Sequence, residues 1–141
     1  MKTWWQRNKH LFPVFFRVRK DGGAQSNVTG YWLIEWKPVF SITLLRFSAG
    51  SREAFHSHAF NAVSWVLRGE LDELVWPVAN RIPRRSSWRP FVTRRNCMHK
   101  VFGVAPTTWA LSFRGPWLNR WHEVLPSGEH VTLTHGRKHV R

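Results

Sequence analysis

The feature that most constrains this chain is its punctuation. From residue 11 onward, apolar residues come in short runs cut off by Gly, Pro, Asn, Asp and Ser, and no stretch sustains a long helical period. Leu11–Arg19 (LFPVFFRVR) has strand composition, with Val14, Phe16 and Val18 on one face and Phe15, Arg17 and Arg19 on the other. The same reading predicts strands over Tyr31–Trp36, Phe40–Phe47, Ala54–His58, Ala62–Leu67, Leu71–Trp76, Trp88–Val92, His99–Val104, Thr108–Phe113, Arg120–Leu125 and His130–His135. The last two form a hairpin about a Pro-Ser-Gly-Glu turn. Arg68-Gly69-Glu70 reads as a tight turn, Ser48–Glu53 as a polar connection, and Pro77–Ser87 as a Pro-bearing basic loop. Closely spaced short strands argue for an all-β sandwich or barrel. At 141 residues and 43% hydrophobic content, one domain with a genuine core is expected. Residues 1–10 read as a basic arm carrying Trp4 and Trp5, residues 11–135 as the β domain, and residues 136–141 as a frayed basic tail.

Charge limits the partners. Lys and Arg number 22 against 8 Asp and Glu, a formal net charge of +14. A field of that sign draws polyanions without sequence preference. The densest basic cluster holds Arg81, Arg84, Arg85 and Arg89, with Trp88 beside them and Arg94 and Arg95 shortly after. These residues are candidates for contact with nucleic acid or a protein partner, against the alternative of a solvated loop. A single cysteine, Cys97, excludes an internal disulfide and a multi-cysteine zinc site, and favours a reducing, cytoplasmic setting. The first residues lack the apolar core of a signal peptide, and no run reaches the ~18 apolar residues of a membrane span, so no membrane is expected among the partners.

The pattern that carries chemistry is Gly50-x5-His56-x-His58, followed by Gly69. In a strand, residues two apart share a face, so both imidazoles enter the same space. Firm metal binding needs at least a third donor. His99, opening a later strand after the polar Thr93–Asn96 segment, fits that part. The competing reading is a barrel without metal, in which His99 bonds to backbone.

This arrangement resembles the cupin superfamily. Its first motif, G-x5-H-x-H-x3-E-x6-G, is matched at Gly50, His56, His58 and Gly69, with Ala62 where the glutamate stands. Its second, P-x-G-x2-H-x3-N, is matched at His99 only, with Arg94, Asn96 and Gly103 at the other places. The chain looks most like small cupin-like proteins of bacteriophage and bacterial genomes, through Phe55–Phe60, Val66–Glu73, Arg95, His99–Val101, Thr108–Leu111 and Arg114–Pro116. The resemblance implies a single double-stranded β-helix (jelly-roll) barrel with a short N-terminal arm, located in the cytoplasm (the host's, if phage-encoded). It allows a homodimer through sheet edges.

The resemblance also implies a divalent metal on His56, His58 and His99: Fe(II) first, with Zn, Mn or Ni as alternatives. Three-histidine members that resemble cysteine dioxygenase use Fe(II) with oxygen. Glu70, Asp72 or Glu73 would join as a fourth ligand only if their turn folds inward. Arg46, Arg114 and Lys100 are candidates to bring positive charge to the lumen, where an arginine grips carboxylate or phosphate. Trp65, Trp109 and Trp121 are candidates to stack on a substrate, against plain wall packing. The two functions carried forward are a metalloenzyme, such as an Fe(II)-dependent oxygenase, acting on a small anionic substrate, and a non-catalytic protein whose basic surface docks on nucleic acid or a host protein.

Overall fold

The computed structural model describes residues 1–23, 25–50, 55–77, 80–125 and 127–134, and the backbone of 138–140. The expectations for Glu53, Ala54, His135 and part of the Pro77–Ser87 loop fall outside the described residues. The elements are α1 (Trp4–Asn8), a 3-10 turn (Lys9–Leu11), and β1 (Val14–Lys20), β2 (Val28–Trp36), β3 (Phe40–Gly50), β4 (Phe55–His56), β5 (Ala62–Arg68), β6 (Glu70–Val75), β7 (Asn80–Arg85), β8 (Phe91–Thr93), β9 (His99–Arg114), β10 (Trp121–Val124), β11 (His130–Thr134) and β12 (Lys138–Val140). All twelve strands join one antiparallel sheet that curls into a single jelly-roll barrel.

The arm begins with Thr3, whose hydroxyl and the Gln6 side chain cap α1 reciprocally. Trp4 and Trp5 pack on Phe12 and remain largely exposed.

Two expectations need correction and one is sharpened. First, His99–Val104 and Thr108–Phe113 are one strand. β9 runs unbroken for 16 residues through Pro106. Proline lacks an N–H and suggests a break, but past it the β3 ladder resumes at Thr107 and that of β5 begins at Trp109. Second, the tight turn at Gly69 is a corner between β5 and β6. β5 pairs with the second half of β9 and β6 with the first half, so the chain bends at Gly69 and continues along the same partner. A side chain there would meet Thr108 Oγ1 at 2.4 Å, and φ is +91°, so only glycine fits without strain. Third, much of the Pro77–Ser87 loop is strand: β7 pairs with β6 from Asn80 to Arg85. Among the described residues β7 pairs with β6 alone, an edge placement that tolerates Pro83. The tail is also tied down where it is described, since Lys138–Val140 pair with β11.

Alternation along the strands sorts the side chains. Ser41, Thr43, Leu45 and Phe47 of β3, Ala62, Ser64 and Val66 of β5, and Thr108, Ala110, Ser112 and Arg114 of β9 are buried. Apolar packing splits into two clusters, Leu45/Phe47/Val66/Leu71/Ala110 and Ala59/Phe60/Ala62/Trp121/Leu133. A cavity of about 410 Å³, with walls from both clusters, lies between them.

Candidate metal centre

β9 sets the site. His99, its first residue, is 3% exposed and directly opposite His56 of β4 across the ladder. β4 is in turn held on its other side by β10, with Glu123 opposite His56. His58 follows in irregular backbone that Ser57 and His58 still tie to neighbours, through N–H donation to the carbonyls of His122 (2.8 Å) and Arg95 (3.3 Å). All three histidines line the cavity. Their ring centroids form a nearly equilateral triangle, with sides of 4.9 Å (His56–His58), 5.0 Å (His56–His99) and 5.0 Å (His58–His99). One nitrogen of each lies within 4.8 Å of the others, and His58 Nε2 is 2.8 Å from His99 Nε2. Imidazole–metal bonds run about 2.0–2.1 Å, so three nitrogens this close can share one ion. The donor set fits a divalent transition metal.

A carboxylate stands behind the His99 ring. Glu73, 6% exposed on β6, places Oε2 3.2 Å from His99 Nδ1 and receives Arg84 Nη2 on Oε1 at 3.4 Å. Burial alone would raise the Glu73 pKa, but His99 and Arg84 more than offset it and hold the carboxyl below its ordinary range. A carboxylate this near Nδ1 favours, through its charge, the tautomer that presents Nε2 to a metal. Glu73 therefore does fold inward, but toward the back of His99. The sequence reading missed Glu123, which is 3% exposed and lines the cavity beside His56. Its signal was an acid in phase with Trp121 on a strand, which puts it on the inward face. Burial, then the charge of Glu73, pushes the Cys97 thiol up, as expected of an inert cysteine.

The other candidates divide. Arg114 is 5% exposed and lines the cavity. Arg46, Lys100 and Trp65 stand outside it. Arg46 is out of phase with buried Leu45 and Phe47 and is exposed. Lys100 alternates with His99 and rests on the rings of Phe55 and Phe102. Trp65 alternates with buried Ser64 and Val66, packs on Phe113 and donates to the Trp88 carbonyl. Trp109 packs on Tyr31, whereas Trp121 reaches the cavity. In the basic cluster, Arg81, Arg84 and Arg85 each pair with an acid of β6: Asp72 at 3.3 Å, Glu73 at 3.4 Å and Glu70 at 3.1 Å. Arg89 is exposed.

Twelve antiparallel strands curled into a jelly-roll barrel, with three imidazoles converging in the lumen, define the class of fold. No protein-family model matches the sequence, and no curated protein matches it closely enough to count. Solved structures do. A sugar phosphate isomerase of the cupin superfamily from Silicibacter pomeroyi superposes with a TM-score of 0.60 at 12% identity, over 93% of this chain and 88% of that one. KdgF from Halomonas sp. gives 0.55 at 14%, over 74% and 96%. HppE in its Fe(II) form gives 0.56 at 11%, over 70% of this chain and 55% of its own. The chain has the cupin fold. Among the described residues no helix is long and apolar enough to cross a membrane.

Proposed function

We propose that this chain is a metal-dependent cupin that binds a divalent ion, Fe(II) foremost, on His56, His58 and His99, and acts on a small anionic molecule held in its lumen. The observation that carries this reading is the convergence of three imidazole nitrogens within 4.8 Å on the wall of a cavity of about 410 Å³, a volume suited to a small molecule. A bound ion supplies Lewis acidity and, if it is Fe(II), a place for oxygen chemistry. The chain's own residues position and shield. Glu73 orients His99, Phe60 and Trp121 wall the lumen with apolar surface, and the charged groups around it favour an anion. HppE is described with Fe(II) and with a substrate, which supports the choice of metal. For the docking alternative, only Arg84 is drawn inward, onto Glu73, whereas Arg81 and Arg85 pair with acids of β6 and stay exposed.

Elemental analysis of protein expressed with each metal in supply tests the proposal. About one equivalent in the wild type and a large loss in His56→Ala are expected. Metal-free wild type under all supplies would overturn it.

A further inference from the structure

The cavity has a second polar end, built around Arg114. The side chain is 4% exposed. Nη2 donates to Asp21 Oδ2 at 2.7 Å, while Nε and Nη1 have no hydrogen-bond partner among the described residues. A buried, charged donor left unmet is costly. Aromatic faces flank the guanidinium: Cζ lies 4.7 Å from the Phe60 centroid and 5.7 Å from that of Trp32. These contacts hold its plane without using its N–H groups. Lys37 also lines the cavity, with Nζ 4.7 Å from the Trp117 centroid.

Two steps connect this end to the histidines. Arg114 sits on Phe60, and Phe60 lies 5.0 Å from the His58 ring, centroid to centroid. Guanidinium and imidazoles are thus a small molecule's length apart in one chamber. Side chains lining it include the cations Arg19, Lys20, Lys37, Arg84 and Arg114 against the anions Asp21, Glu73 and Glu123.

We propose that Arg114 is the anchor for an oxyanion, the carboxylate or phosphoryl group of the substrate, received on Nε and Nη1 while the rest of the molecule extends past Phe60 to the histidine end. This rests on the reading of the lumen as a substrate chamber. Arginine suits the role because its planar fork meets two oxygens at once. Asp21 competes for the same guanidinium and holds it in place when the chamber holds no ligand.

The test is calorimetric titration at constant ionic strength, with inorganic phosphate and acetate as separate probes. It uses wild type supplied with metal, wild type stripped by a chelator, R114K and D21N. Saturable one-site binding of at least one probe is expected, and whichever binds tells phosphoryl from carboxylate. R114K, which keeps the charge but loses the fork, should weaken it at least tenfold. D21N, which removes the competing negative charge beside Nη2, should tighten it several-fold, and this arm decides the matter if R114K does not fold. Stripped wild type should still bind. Equal affinity in R114K and wild type, no tightening in D21N, binding lost on stripping but kept in R114K, or no binding of either probe would each overturn the assignment. Metal content measured on the same samples separates the two ideas. A metal-free protein that still binds the anion through Arg114 keeps this site and loses the metal. A metallated one that binds no anion does the reverse.

Discussion

The two walls that carry the histidines are built very differently. His99 starts a 16-residue strand bonded in turn to β4, β6, β5 and β3, and its ring is backed by Glu73, itself tied to Arg84. His56 and His58 come from a two-residue strand and the bend after it. That wall is held by single bonds, such as Ser57 N–H to the His122 carbonyl and His122 N–H to Ser57 Oγ. One ligand is preorganised by the scaffold; the other two depend on a short segment between β9 and β10. A site precise enough for chemistry needs ligands fixed by their surroundings, so the contrast predicts where substitutions will hurt.

The largest effect should come from deleting ligands. His99→Ala and His56→Ala should both lose stoichiometric metal. Only His99→Ala should also destabilise the metal-free fold, by about 1–3 kcal/mol, since it strips a buried carboxylate of a partner. Equal urea midpoints for the two metal-free variants would break the asymmetry. Glu73→Gln comes next. Metal affinity should fall about 10–100-fold, read by competition with a chromogenic chelator, because His99 loses the group that sets its tautomer.

Gly69→Ala tests the corner that lets β5 and β6 share β9. A side chain at positive φ against Thr108 should cost about 2 kcal/mol in thermal or denaturant unfolding. Acid sensitivity is a subtler probe. The folded-state pKa of Glu73 lies below its ordinary value of 4.5. As pH falls past that value the unfolded chain takes up the proton first, so the stability Glu73 contributes, complete above it, drains away until the folded-state pKa is passed. Wild type should therefore lose stability faster than Glu73→Gln below about pH 4.5, seen in unfolding curves at stepped pH. Smallest of all, Ser57→Ala should cost about 1 kcal/mol or less, with a slight loss of metal affinity from the weaker wall.

The sequence revealed the ligands better than their supports. His56 and His58 are legible because a two-residue spacing on a strand has one geometric meaning, and His99 because it opens a strand at the place a second motif requires. Glu73 and Glu123 were harder. Their roles depend on which strands become neighbours, and pairings such as Glu123 opposite His56 span 67 positions of sequence with no local trace. Prolines misled in the same way. Pro83 and Pro106 suggest breaks, yet one sits on an edge strand and the other lies where β9 passes from one set of partners to the next. Arg114 differs from Arg46 only in phase: each lies on a strand beside hydrophobic neighbours, and a one-residue offset decides between lumen and solvent.

The dependence of four strands on β9 also has a consequence in time. In a chain that stops short of β9, the β1–β2–β3, β5–β8 and β6–β7 ladders can each close, but the strand that joins them into one sheet is missing. Such distant pairings assemble slowly. The chamber comes into being only once β9 has been made, so shorter chains carry His56 and His58 with no enclosure to hold an ion.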